Sequence, residues 1–261
     1  MKLSIRLFAV AVMIMLVACN SDEKPPKIED LPEAESAYKA VNDSTVYGLA
    51  CEGCTDSVLV FLPENCSDPV SYDIVMARRM NRVHGMPEIG DKVAILINPK
   101  NKREALAVVD LDNLKGAWVY DAMPTLRQSV LQAQEEASIT REEKAEIDSA
   151  VRAQMKPHEC GFNLKKDFAA MPIGRYWQRS SLEKEAPVEQ PQVKRYTEWH
   201  IYNGKLILTE TSSIFTKEGE LKGDKAKNDT ADILMLSRDT LVLKFKDNIQ
   251  GYHRQKETGK K

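Results

Sequence analysis

Five cysteines and four histidines are the residues whose types could do chemistry in this 261-residue chain. Cys51-Glu52-Gly53-Cys54 has the C-x-x-C spacing of thiol oxidoreductases and of zinc sites. Redox use requires the first thiol at a helix N-terminus, where the dipole stabilises thiolate. Here Thr55-Asp56 and an apolar, strand-like run follow instead. Cys51, Cys54, Cys66, His158 and Cys160 would supply enough soft ligands for tetrahedral zinc, but no second C-x-x-C completes the pattern. In an oxidising compartment Cys51, Cys54, Cys66 and Cys160 read as disulfide candidates with three connectivities open, either two bridges or one bridge with two buried thiols. A bridge to Cys160 would staple the linker before it to the first folded block.

The histidines, His84, His158, His200 and His253, form no H-E-x-x-H pair. No G-x-S-x-G, phosphate-binding loop or dinucleotide fingerprint occurs. Carboxylates are plentiful but fall in polar stretches, where solvated charge explains them. The residues therefore imply no catalytic site, no metal and no cofactor, and the expectation is a non-enzyme. A formal charge of −2 without a basic, aromatic-interleaved patch gives no argument for nucleic acid.

The fifth cysteine, Cys19, is different. Lys2 and Arg6 precede an apolar run from Leu7 to Val17, too short to span a bilayer comfortably. The ending Leu16-Val17-Ala18-Cys19 resembles the lipobox of bacterial lipoproteins, which implies a signal peptide at 1–18 and lipid attachment at Cys19. Two or three acyl chains, at ~0.8 kcal/mol per buried methylene, anchor a protein firmly. Residues 19–42 are the expected tether, opening Cys19-Asn20 and rich in proline and charge over 20–36. Ser21-Asp22-Glu23-Lys24 resembles the acidic export signal of Bacteroidetes surface lipoproteins, which implies the outer membrane and an outward-facing body. A plain soluble linker reads equally well.

The elements behind the tether are short and mainly β. In 43–123, segments Thr45–Ala50, Ser57–Leu62, Val70–Ala77, Lys92–Asn98, Ala105–Leu111 and Ala117–Tyr120 have strand length. Turn residues punctuate them at Pro63-Glu64-Asn65, Asp68-Pro69, Gly90-Asp91 and Asn98-Pro99. They predict a small β-barrel or sandwich, with Ile74–Val83 as an alternative short helix. Residues 124–160 read as a helical linker, its second helix starting at Thr140 with Glu143 completing a capping box. Ile147, Val151 and Met155 give that helix a narrow apolar stripe, suited to bracing the β blocks or to meeting a partner.

In 161–255, Thr197, Trp199 and Ile201 alternate with polar neighbours, and Asn203-Gly204 then predicts a type I′ hairpin into Lys205–Thr209. A second hairpin is predicted from Ile233–Leu236 through Ser237-Arg238-Asp239 to Thr240–Phe245. The polar stretches 180–194 and 217–230 are predicted mobile rims, and 256–261 a disordered tail. Gly174-Arg175-Tyr176-Trp177, Trp199-His200-Ile201-Tyr202, Asp239-Thr240-Leu241-Val242 and Tyr252-His253-Arg254 together resemble the lipocalin-like domains of Bacteroidetes lipoproteins. The resemblance implies an up-and-down antiparallel barrel, partial or completed by strands of the first block, because only about six strands are countable against the eight needed. It also implies that a first-strand aromatic, read as Trp177, packs under Arg254. The family carries Gly-x-Trp in that strand, and Trp177 falls one place late. The functional expectation is a membrane-anchored binding module for an apolar or glycan ligand. The alternative is an envelope protein that recognises another protein.

Overall fold

The computed structural model describes residues 43–66, 68–128, 132, 140–176, 187–211, 213–215, 221–223 and 226–256. The signal peptide and tether expected at 1–42, Cys19 among them, lie outside the described residues, as do Trp177 and nearly all of the tail. The fold is mainly β, and Asp43–Lys261 forms one compact unit.

The first sheet has six strands: β1 (Thr45–Ala50), β2 (Val58–Pro63), β3 (Val70–Asp73), β4 (Val83–His84), β5 (Lys92–Ile97) and β6 (Ala105–Asp110). Their order is β3-β2-β1-β5-β6-β4, antiparallel except for the β4–β6 pair. Alternation buries Leu59, Phe61, Val93, Ile95 and Val108 on one face, with Tyr72 packed edge-on against Phe61 at 6.0 Å. At the edge, Asp73 N–H donates to Arg103 O at 2.8 Å, which draws β3 toward the start of β6 and curls the sheet. The segment after β3 turns into a short helix α1 (Val75–Arg79), so the strand expected across Val70–Ala77 stops at Asp73.

After β6 the chain makes a four-residue helix α2 (Leu111–Leu114), whose N-cap Asp110 accepts from Asn113 N–H at 2.9 Å. Next comes β7 (Gly116–Ala122), which the sequence pattern had placed with the first block. It pairs instead with β9 (His158–Leu164) and β18 (Ile249–Arg254) in an eight-stranded antiparallel sheet. The other members are β10 (Ala170–Ile173), β12 (Tyr196–Tyr202), β13 (Lys205–Glu210), β16 (Lys227–Leu236) and β17 (Thr240–Lys244). Their order is β10-β9-β7-β18-β17-β16-β13-β12. The two outer strands approach each other, with Trp199 N–H donating to Phe168 O at 2.8 Å and an Ala169–Glu198 bridge, so the sheet is a nearly closed barrel. A strand from the first block supplies the count that its own segment lacked.

Both predicted hairpins form. Asn203 and Gly204 take φ of 49° and 78°, the double positive φ of a type I′ turn, between β12 and β13. β16 and β17 pair from Leu236–Leu241 outward. Smaller pairs are β8 (Thr125–Leu126) with β11 (Val188–Glu189), and β14 (Ser213–Phe215) with β15 (Leu221–Gly223). Residues 187–194 and 227–230, expected as rims, thus hold strands β11 and the start of β16. In the linker, α3 (Arg141–Gln154) begins at the expected capping box, Thr140 N–H donating to Glu143 Oε2 at 2.9 Å and Glu143 N–H to Thr140 Oγ1 at 3.3 Å. None of its residues is fully buried.

The two sheets share a core: Ala94, Val109, Leu111 and Leu114 pack with Trp199, Ile201 and Leu206. Tyr47 fastens the joint. Its hydroxyl donates to Ile201 O at 2.8 Å and accepts from Ile201 N–H at 3.2 Å, satisfying both backbone groups that β12 would otherwise leave open at the barrel edge.

Candidate functional site

Strand direction gives the barrel two unlike ends. One end holds Gly116, Leu164, Leu236 and Arg254; the other holds Ala122, His158, Tyr196, Glu210, Lys227 and Ile249.

The first end is plugged. The Arg254 guanidinium lies over the Trp118 ring at 4.2 Å to its centroid and donates to Arg238 O at 2.6 Å, Asn113 O at 2.7 Å and Lys115 O at 2.8 Å. Two of these acceptors are carbonyls at the C-terminal end of α2, where a cation is favoured by the helix dipole. Trp118 Nε1 donates to Leu114 O at 2.7 Å, so ring and cation hold the same turn. Gly116 (φ 117°) is required here, because a Cβ would stand 2.3 Å from Arg254 Nη1. Trp177, expected under Arg254, lies outside the described residues, and the ring beneath the guanidinium is Trp118. The reason is register: β18 pairs with β7, and Arg254 stands directly opposite Trp118. Gly116-Ala117-Trp118 is a Gly-x-Trp sequence on the strand beside Arg254, and it went unread because that strand was assigned to the other block.

Behind the plug the interior is filled by side chains. Trp118, Leu206, Leu208, Leu241 and Leu243 are 0% exposed, and Phe162 is 2% exposed. Trp199 faces this core and its Nε1 donates to Lys165 O at 3.0 Å, which leaves His200 on the outer face.

The opposite end is polar and aromatic. Edge-on or tilted ring contacts run from Tyr120 to Tyr252 (5.5 Å), Tyr252 to Phe162 (5.1 Å) and Phe162 to Tyr196 (6.1 Å). The Tyr196 hydroxyl donates to Asp229 Oδ2 at 2.6 Å, and Lys194 Nζ reaches the same oxygen at 2.5 Å. Burial pushes Asp229 up, but the bonds from Lys194 and Tyr196 outweigh it and hold the carboxyl below its usual range. Burial, then the bond to Asp229, pushes Tyr196 far up; Tyr252 is raised by burial and by Tyr120. These hydroxyls stay protonated donors. Tyr252 is 8% exposed, yet among the described residues neither its hydroxyl nor that of Tyr120 has a hydrogen-bond partner. Cys160, directly opposite Tyr120 in β9, adds a buried thiol that burial and the nearby Asp121 push up. This mouth was not singled out from the sequence. Its tyrosines sit on three strands far apart in the chain, and only their inward register was there to be found.

The cysteines do not bridge. Cys51, Cys54, Cys66 and Cys160 are all free thiols, contrary to the disulfide expectation. Cys51 and Cys54 lie in the β1–β2 turn and bond to backbone of the first sheet, whereas Cys160 is buried in the barrel wall. Of the histidines, His84 is buried beside β6, its pKa lowered to about 4 by burial and by Arg82; His158 and His253 are exposed. They do not converge. Among the described residues no three His, Cys, Asp or Glu side chains converge as a metal site, and no helix is long and apolar enough to cross a membrane. Compared with protein-family models, characterised proteins and solved structures, the chain shows no match.

Proposed function

We propose that this chain is a lipid-anchored envelope lipoprotein whose barrel is a non-catalytic binding module of the lipocalin-like kind. Its tyrosine-lined mouth takes a hydroxyl-rich, glycan-type ligand. Cys19 carries the anchor in this reading, placing the body at the outer membrane, with Ser21-Asp22-Glu23-Lys24 as the export signal to the surface. The lipocalin-like assignment is supported by the Gly116-Ala117-Trp118 strand and by Arg254 stacked on Trp118.

One observation carries the ligand class: two tyrosine hydroxyls, Tyr120 and Tyr252, without a hydrogen-bond partner among the described residues, lie on the run of ring contacts that leads to the tyrosine–carboxylate–lysine cluster. Tyr120 and Tyr252 can donate and accept, and Asp229 accepts, which matches the alternating donors and acceptors of sugar hydroxyls. An apolar ligand in the interior is disfavoured, because side chains already exposed by 0–2% would have to move aside.

The test is native mass spectrometry of residues 20–261 from their own envelope, followed by glycan-array binding. A retained sugar-sized mass and array binding weakened at least tenfold in Tyr252→Phe and Asp229→Asn, with unchanged circular dichroism, is the expected result. Binding that ignores both substitutions overturns the site.

The alternative, a protein-interaction role, is favoured by exposed Met76, Met80, Met86 and Ile89 on the segments between β3 and β5. An apo mass accompanied by a second polypeptide would replace the first reading with this one.

A further inference from the structure

Cys51 and Cys54 flank a tight turn at the end of β1, with Gly53 at φ 96° allowing the reversal. The turn is rigidly framed: Cys51 N–H donates to Val60 O and Thr55 N–H to Val58 O, both at 2.8 Å. Both thiols are partly exposed and free. The Cys54 thiol donates toward Cys51 O at 3.1 Å and Val60 O at 3.5 Å and accepts from Val60 N–H at 3.4 Å, whereas among the described residues the Cys51 thiol makes a single long contact, to Leu49 O at 3.8 Å. An N–H···S bond of this kind supports the charge of a metal-bound sulfur and fixes its direction.

The segments bordering this turn are rich in thioether. Ile74 N–H donates to Ser57 O at 2.9 Å, Arg78 pairs with Asp56 at 3.2 Å, and Gly90 N–H donates to Ala50 O at 2.8 Å. These contacts bring α1 and the loop after β4 to the same end of the sheet. Met76 in α1, Met80 directly after it and Met86 in the loop after β4 are exposed.

A four-coordinate divalent site is not served here, since no third His, Cys, Asp or Glu converges among the described residues. A soft d10 monovalent cation needs only two sulfur ligands, and thiolate and thioether are the donors that select it. We infer that Cys51 and Cys54 together form a chelating site for a thiophilic monovalent cation of the copper(I) class, with the surrounding methionines as soft secondary donors. Binding forms two metal–sulfur bonds, breaks two S–H bonds and releases two protons to solvent; no electron is transferred. The site is separate from the barrel mouth and does not depend on its ligand.

The test is anaerobic titration of residues 20–261, which contain the whole compact unit, with copper(I) held by a coloured competing chelator. One ion per chain is expected, with an ultraviolet thiolate-to-metal band. Cys51→Ser and Cys54→Ser should each weaken binding at least a hundredfold, because each breaks the chelate, while Cys66→Ser leaves it unchanged. Circular dichroism of each variant confirms that the fold is retained. Single-cysteine variants that bind as tightly as the parent overturn the chelate, as does binding that follows Cys66. Isolation of the chain with Cys51 and Cys54 already joined as a disulfide overturns it equally.

Discussion

Replacing Arg254 by methionine should unlock the plugged end of the barrel. The side chain makes three charge-assisted bonds of 2.6–2.8 Å to carbonyls of Arg238, Asn113 and Lys115 and covers Trp118 at 4.2 Å. Hydrogen bonds to charged groups contribute about 1.5–3 kcal/mol each, and a cation–π contact about 0.5–2 kcal/mol. The site is partly open to solvent, so water recovers some of the freed carbonyls, and methionine keeps some contact with the ring. A net loss of roughly 3–5 kcal/mol follows, a large share of the ~5–15 kcal/mol that holds a typical domain. Arg254→Lys keeps the charge but not the planar fork, so it should retain one bond of the three and lose about 2 kcal/mol. Urea unfolding of residues 20–261, read by tryptophan fluorescence and by circular dichroism, measures both. The midpoint should fall in the order wild type, Lys, Met at a constant slope. A methionine variant within about 0.5 kcal/mol of wild type, or a lysine variant equal to it, would show that the guanidinium geometry does not hold the barrel shut.

Asp110 makes a pH prediction. Burial raises its carboxyl from 3.8 to about 6 in the folded chain, so the stability tied to its protonated form is complete below pH 3.8 and lost as pH rises through 6. Asp110→Asn keeps the cap and should be more stable at pH 7 by about 1–2 kcal/mol, with the advantage vanishing near pH 4; a pH-independent difference refutes the burial account. Tyr47→Phe removes both bonds to Ile201 and should cost about 1–2 kcal/mol, with faster amide exchange at Ile201; unaltered exchange would mean that the β12 edge does not need the hydroxyl. Titration of denatured residues 20–261 with a thiol reagent should find four reactive groups. In the native protein, Cys66 should react first, Cys51 and Cys54 next and Cys160 last, whereas fewer than four groups after denaturation would restore a disulfide.

Local chemistry explains what was readable early. The Asn203-Gly204 turn, the Thr140–Glu143 cap and the alternation through Trp199 and Ile201 depend on residues a few positions apart, and each formed where its pattern stood. Val70–Ala77 misled for the same reason: its apolar content suits strand or helix, and only the Asp73–Arg103 contact ends the strand. Arg254 could be recognised as the closing cation, yet its aromatic partner could not. Trp118 and Trp177 both stand in strand-like sequence, and the choice depends on β7 leaving its sequence neighbours to pair with β9 and β18.

Short-range geometry and composition make the β character, the two hairpins and the capped helix legible in the sequence alone. Tertiary structure alone decided the barrel's eighth strand, the Trp118–Arg254 plug and the mouth where Tyr120, Tyr196, Tyr252 and Asp229 meet. Antiparallel pairing between distant segments gains its free energy from burial and ladder hydrogen bonds that many registers could offer in part. Only the register that fills the core with Trp118, Phe162 and Leu241 while joining Tyr47 to Ile201 satisfies both sheets at once.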